Sequence, residues 1–227
     1  MSLIILLVFL MLILFGPQWW ARSVLRRHSR PRPDYPGTGG EFARHLLDKL
    51  DLREVKVEGA PQGDHYDPQA KVVRLTPDNL DGKSLTAVAV AAHEVGHALQ
   101  DHLSYGPLRW RSRLVLLAQR AEKMGVGVMM VLPLVALVTR SPAVGGATFL
   151  VGLISIAAMA VVHLVTLPVE LDASFGRALP LLKAGRYIDE EDERAARQIL
   201  RACALTYLAA SLASLFNVWR WWRLWRR

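Results

Sequence analysis

The segment His93-Glu94-Val95-Gly96-His97 carries the clearest chemistry in the chain. An α-helix rises about 1.5 Å per residue with about 3.6 residues per turn, so the two imidazoles would lie on one face, about 6 Å apart along the axis. Neutral imidazole nitrogens bind Zn²⁺, and a catalytic zinc site takes three protein ligands and leaves a fourth position for water. Glu94 would accept a proton from that water, as in the HExxH pattern of zinc peptidases. We therefore predict one Zn²⁺, with His93 and His97 as ligands and Glu94 as catalytic base.

The residues around this motif predict a continuous helix over 85–103. The run contains no proline and is rich in alanine, and Ser84 can cap its first turn. It stops at Ser104-Tyr105-Gly106-Pro107, a sequence that breaks helices. Both histidines would thus be held by one rigid element.

A third ligand must come from another part of the chain. The extended pattern HExxHxxGxxH is excluded, because its glycine and last histidine are replaced by Gln100 and Leu103. Glu170 is favoured as the ligand, because its helical face, with Ala173, Ser174 and Arg177, can pack on the small residues of the HExxH helix. Asp172 stays open as the alternative ligand or as a residue that orients one.

A peptidase also needs a donor for the oxyanion that develops on the substrate carbonyl. Four side chains could supply it, and spacing does not distinguish them: His65, Tyr66, Tyr105 and Arg177.

The apolar residues, 52% of the chain, are concentrated in blocks. A membrane span needs about 20 mostly apolar residues. On this basis the sequence predicts an N-terminal transmembrane anchor at 1–21, a transmembrane hairpin at 124–169, and a membrane helix with a basic aromatic tail at 199–227. The metallopeptidase region would occupy 22–123, and 170–198 would form the third-ligand helix and a connector.

The net charge of +8 comes from basic residues that cluster beside the apolar blocks. This distribution argues against nucleic acid as a partner and indicates contact with a lipid bilayer, with the site and the basic stretches before the fourth apolar segment on the cytoplasmic side. The basic tail would lie on the other side if that segment spans, or at the membrane surface if it does not. The single cysteine, Cys203, excludes an internal disulfide and a cysteine cluster for zinc.

Two short strands near residues 55–57 and 71–76 predict a small sheet before the HExxH helix. An open edge on the second strand could pair with an extended peptide substrate. The predicted fold class is a mainly α membrane protein with about four transmembrane or membrane-associated helices and a small α+β metallopeptidase domain.

Longer stretches of the chain resemble the YugP-like zinc membrane peptidases of bacteria. The resemblance rests on six segments: TGGE at 38–41, DHYDP at 64–68, VVRL at 72–75, AVAVAAHEVGHALQD at 87–101, LVTLPVELDAS at 164–174 and ALTYLAA at 204–210.

This resemblance implies a gluzincin-like neutral zinc metallopeptidase in the bacterial plasma membrane, with His93, His97 and Glu170 as ligands and Glu94 as base. The arrangement is also similar to HtpX-type membrane proteases. Those and thermolysin-like enzymes place an Asp four residues after the ligand Glu to orient a zinc-bound His. Ser174 occupies that position here, which could transfer the orienting task to Asp172.

The predicted function is a membrane-embedded zinc endopeptidase that cleaves peptides or membrane proteins near the cytoplasmic surface. The alternative is a membrane scaffold without catalysis, in which zinc only holds helices together. The oligomeric state and the natural substrate do not follow from the sequence.

Overall fold

The computed structural model describes residues 2–117, 165–215 and scattered positions between 131 and 162. The chain forms two compact units, residues 1–105 with 167–227 and residues 106–166. The second unit includes the helical residues 106–117. The elements that position the site belong to the first unit. They are α1 (Ser2–Arg27), α2 (Gly39–Lys49), β1 (Lys56–Gly59), β2 (His65–Asp67), β3 (Val72–Leu75), α3 (Pro77–Leu80), α4 (Leu85–His102), a π-helix (Asp172–Ala178), α5 (Leu179–Ala184) and α6 (Glu190–Leu215).

The central element of the first unit is α4. Ser84 caps it, because its Oγ accepts a hydrogen bond from the backbone N–H of Ala87. Every residue from Leu85 to Ala98 is buried, as expected of a helix that is surrounded by other elements. The elements packed against it include α2, the sheet, the π-helix and α6. The helix predicted over 85–103 is observed one residue shorter.

The small sheet has three strands in the order β1-β3-β2. β1 is parallel to β3, and β2 is antiparallel to it, with His65 opposite Arg74. Both predicted strands are present, as β1 and β3, but the second has no open edge. The intervening loop folds back and pairs as β2, and Asp64 holds it there by accepting hydrogen bonds from Thr76 and Asn79. β3 is consequently the central strand and has a partner on each side.

Among the described residues, no helix is both long and apolar enough to cross a membrane. The predicted fold class, a mainly α membrane protein with about four transmembrane or membrane-associated helices, is therefore wrong in its spanning helices, and the described chain is helical with a small sheet. A span needs about 20 mostly apolar residues. α6, which contains most of the predicted fourth segment, instead begins with four acidic residues and packs Ile199 and Leu200 into the protein core.

The predicted hairpin at 124–169 and the tail after residue 215 lie largely outside the described residues. The predicted anchor at 1–21 is part of α1, which continues to Arg27 and contacts α6. Near its end, Ala21 is fully buried, and the carbonyl of Leu25 accepts a hydrogen bond from the hydroxyl of Thr86. The end of α1 is therefore attached to the first turn of α4.

The π-helix closely approaches α4 at Gly96. A Cβ built on Gly96 would lie 2.7 Å from the carbonyl oxygen of Ala173, closer than real Cβ atoms come to other atoms. The missing side chain thus allows the two backbones to touch. This contact brings the segment that carries Glu170 against the helix that carries both histidines.

We expect Gly96→Ala to lower the free energy of unfolding by about 1–3 kcal/mol, the usual cost of forcing extra volume into a packed core. Denaturant titration of the purified proteins measures the difference. Gly106→Ala is the matched control, because a Cβ at Gly106 meets no described atom within 4 Å. A Gly96→Ala protein as stable as this control would contradict the close approach.

Candidate metal centre

Three buried side chains meet at one point. Two of them lie on α4, and the third comes from a segment distant in sequence. One ligand atom each of His93, His97 and Glu170 lies within 4.8 Å of the others. Oε2 of Glu170 is 3.3 Å from Nε2 of His93 and 3.2 Å from Nε2 of His97. The carboxylate is only 1% exposed. The structure therefore brings the predicted ligands together although 73 residues separate His97 from Glu170.

The two elements position these groups by different means. His93 and His97 are one turn apart on α4, and their rings meet edge to face with centroids 4.7 Å apart. Glu170 lies in the helical residues 167–171, immediately before the π-helix begins at Asp172. Single π-helical turns inside α-helices occur frequently at functional sites, because the extra residue per turn changes the direction of nearby side chains.

Ser174 determines which nitrogen of His93 faces Glu170. Its hydroxyl donates to the carbonyl of Leu200 at 2.9 Å and lies 3.0 Å from Nδ1 of His93. Because the hydroxyl proton is used toward Leu200, the Ser174 oxygen accepts the N–H of His93 Nδ1. The Nε2 atom of neutral His93 then carries a lone pair, which points toward the carboxylate.

The charge of Glu170 is stabilised by its two histidine neighbours. Burial by itself raises the pKa of Glu170, but attraction to His97 and His93 and hydrogen bonds from them outweigh burial and lower the pKa well below its usual range, an effect that requires a proton on the facing nitrogens in the metal-free site. The carboxyl group is therefore ionised at neutral pH. An anionic oxygen and a nitrogen lone pair at this distance repel each other unless positive charge lies between them.

This donor set fits zinc. Two imidazole nitrogens and one carboxylate oxygen are a known combination for catalytic Zn²⁺, and three protein ligands leave a position for water. Burial excludes competing water, and a divalent cation supplies the positive charge that the three facing atoms require. His93, His97 and Glu170 are the residues that would hold the ion.

Asp172 has a different position from the one a ligand would need. Its Oδ2 accepts hydrogen bonds from Nε2 of Gln100 at 2.8 Å and from Nε of Arg177 at 2.8 Å. Within the described residues, the group that could hold a metal contains Glu170 and not Asp172. Ser174, the other residue considered for orienting a ligand, contacts His93 directly.

Glu94, the predicted base, is 5% exposed and adjoins His93 on α4. Burial raises the pKa of the Cys203 thiol, and the nearby Glu94 carboxylate raises it further. The thiol is therefore protonated at neutral pH, and Cys203 offers no thiolate to a metal.

The four candidate oxyanion donors lie outside the metal-binding group. The hydroxyl of Tyr66 donates to Asp101, and Nδ1 of His65 is 3.0 Å from the carbonyl oxygen of Gly63. Arg177 bonds Asp172 and stacks over the ring of Tyr105 at 5.4 Å. Their roles toward a substrate remain predictions.

Sequence reasoning missed Gln100. Its Oε1 lies 3.0 Å from Nδ1 of His97, and the side chain is fully buried. The available signal was its position three residues after His97, on the same face of the helix. In the sequence, Gln100 served only to exclude the longer pattern HExxHxxGxxH.

Comparison with known proteins agrees with this geometry. Residues 3–226 match the family described as "Putative neutral zinc metallopeptidase". A relative from Bacillus subtilis (strain 168), named "Putative membrane protease YugP", is 36% identical over 213 residues, which cover 91% of each chain. No solved structure matches the chain. The family resemblance inferred from the sequence and the prediction of zinc as the cofactor are both confirmed by the family match.

We expect Glu170→Gln to weaken zinc binding by more than about 100-fold, because losing a ligand costs more than the 10- to 100-fold effect of losing a residue that orients one. Competition with a chromophoric chelator measures the dissociation constant. Glu191→Gln, an exposed position at the start of α6, is the matched control. Equal affinities in the two variants would remove Glu170 from the ligand set.

Proposed function

This chain belongs to the family described as "Putative neutral zinc metallopeptidase", and we propose that it hydrolyses peptide bonds at the site formed by His93, His97 and Glu170. The convergence of these three buried groups on one point carries the proposal. Two imidazoles and a carboxylate with a glutamate adjoining the first histidine form the residue set that peptide hydrolysis by zinc requires.

Zinc in this site supplies Lewis acidity, which lowers the pKa of water to about 7 and polarises a substrate carbonyl. The residues of the chain perform the other tasks. Glu94 accepts a proton from the attacking water and delivers it to the nitrogen of the departing peptide. His93, His97 and Glu170 fix the ion, while the surrounding apolar residues of α4 keep bulk water away. The products are two shorter peptides.

The proposed substrates are peptides or membrane proteins, cleaved within the chain. The class of substrate follows from the reaction, since a peptidase must bind an extended backbone. β3 is paired on both sides, so β1 and β2 are the edge strands of the sheet. β2 contacts the catalytic helix directly, because the hydroxyl of Tyr66 on β2 donates a hydrogen bond to Asp101 on α4.

We expect Glu94→Gln to reduce peptide hydrolysis by about 10²- to 10⁴-fold, the usual contribution of a general base. Zinc content should remain at one ion per chain, because Glu94 is not a proposed ligand. Cleavage of casein or a quenched fluorescent peptide library gives the activity, and metal analysis gives the zinc content.

The same variant separates the peptidase from a zinc-stabilised scaffold. A scaffold needs the ion but has no use for a base, so a Glu94→Gln protein with full cellular function and wild-type zinc content would favour the scaffold. Glu191→Gln again serves as the control for an exposed carboxylate.

We further propose that the protein works at a lipid surface, with its site on the cytoplasmic side. The relative is named a membrane protease. On α1, Ile5, Leu12 and Trp19 are each more than 60% exposed, and their spacing of seven residues places them on one face of the helix. The same helix ends with the exposed Arg26 and Arg27. Exposed apolar and aromatic residues beside arginines suit a surface of anionic lipid.

Replacement of Leu12 and Trp19 together by Ser should reduce binding to anionic phospholipid vesicles by about ten-fold or more, because each buried apolar side chain contributes on the order of 1.5–3 kcal/mol. Vesicle flotation measures the bound fraction. Trp110→Ser, at another exposed tryptophan, is the control. Unchanged flotation of the double variant would contradict a lipid contact through α1.

A further inference from the structure

Gln100 hydrogen-bonds both to a proposed ligand and to the chain segment that carries another. It is fully buried. Its amide lies 3.0 Å from Nδ1 of His97, 2.9 Å from the carbonyl oxygen of Val169 and 2.8 Å from a carboxylate oxygen of Asp172. These bonds connect α4 to residues on both sides of Glu170.

The orientation of this amide is fixed by its partners. A carbonyl oxygen and an ionised carboxylate can only accept hydrogen bonds, so both must face the NH₂ group of Gln100. A flipped amide would place its oxygen against two acceptors inside the protein, where unpaired polar atoms are costly. The amide oxygen therefore faces His97. Arg177 reinforces the arrangement, because it donates to the same oxygen of Asp172.

The fixed amide determines the tautomer of His97. An oxygen that only accepts requires a proton on Nδ1 of His97, and neutral imidazole has only one N–H. In the neutral ring, Nε2 therefore carries the lone pair, and it is the atom 3.2 Å from Glu170. Free histidine in water favours the opposite tautomer, with the proton on Nε2. Without Gln100, neutral His97 could place its proton on Nε2, toward the Glu170 carboxylate, and a metal would then have to displace that proton.

The two remaining bonds of Gln100 act on the third ligand. Val169 and Asp172 lie one residue before and two residues after Glu170, at the junction with the π-helix. Holding both restricts the rotation of the backbone that carries the carboxylate. One side chain thus sets the reactive nitrogen of one ligand and the position of another.

We propose that Gln100 is a positioning residue that prepares the site for metal before any ion arrives, by selecting the Nδ1–H tautomer of His97 and by fixing the segment around Glu170. The inference rests on the proposed function only in taking zinc as the ion.

The direct test is nitrogen-15 NMR of the histidine side chains in metal-free full-length protein. Wild type should show His97 protonated on Nδ1, whereas Gln100→Met, which keeps the length of the side chain and removes its hydrogen bonds, should shift His97 toward the Nε2–H form. Gln198→Met, at an exposed position on α6, is the matched control and should resemble wild type. Retention of the Nδ1–H form in Gln100→Met would overturn the proposal.

Zinc affinity provides the second readout. Gln100→Met should bind zinc about 10- to 100-fold more weakly than Gln198→Met, the range observed when residues that orient ligands are removed. Affinities within two-fold of each other would contradict the proposal while leaving the peptidase assignment intact. Failure of wild type to bind zinc would instead contradict the proposed function, and the tautomer measurement in metal-free protein would still decide the role of Gln100.

A third variant guards against misfolding of Gln100→Met. Asp172→Ala removes one of the two acceptors that orient the amide, at a side chain that is 26% exposed. It should weaken zinc binding by less than Gln100→Met, and its unfolding temperature should stay close to that of wild type. Wild-type affinity and a wild-type His97 tautomer in a folded Asp172→Ala protein would show that the amide needs no second acceptor, which contradicts the proposed orientation mechanism.

Discussion

The organisation of the first unit depends on one electrostatic constraint. An ionised carboxylate and two imidazole nitrogens face one another inside the protein, with Oε2 of Glu170 within about 3.3 Å of both Nε2 atoms. When both imidazoles are neutral and protonated on Nδ1, no proton is available to bridge these acceptors. Their repulsion in a medium of low dielectric is large, and a cation placed between them removes it. In the metal-free protein a proton on an imidazole can relieve this repulsion, and a divalent cation that displaces the proton relieves it by contacting all three groups.

The contacts around the site maintain this arrangement. Ser174 and Gln100 each accept a hydrogen bond from the Nδ1–H of a different histidine, so both rings present Nε2 to the centre. Gly96 allows the backbone of the π-helix to approach α4. The ligand segment is thus tied to α4 by backbone contact and by side-chain hydrogen bonds. Such outer contacts commonly change metal affinity by 10- to 100-fold.

The sequence revealed the local part of the site but not the contacts between distant segments. The two histidines follow from the spacing of four on one helix, and Glu170 follows from its helical face of small residues. The bonds from Gln100 to Val169 and from Ser174 to His93 join residues 69 and 81 positions apart. The local periodicity of apolar residues cannot predict contacts between residues so far apart in sequence. The turn that folds β2 back on β3 depends on Asp64 in the same way. The prediction of membrane-spanning helices was wrong because a run of apolar residues does not show which of them, as in α6, pack against the protein's own core.

Zinc K-edge X-ray absorption of the zinc-loaded protein tests the central claim most directly, because it reports the atoms bound to the ion. The account predicts two imidazole nitrogens at about 2.0–2.1 Å and oxygen from a carboxylate and a water at about 2.0–2.2 Å. In Glu170→Gln, the oxygen contribution should change while the two imidazole signals persist in whatever zinc remains bound. A sulfur neighbour at about 2.3 Å, or a spectrum that Glu170→Gln leaves unchanged, would contradict the convergence of His93, His97 and Glu170 on one ion.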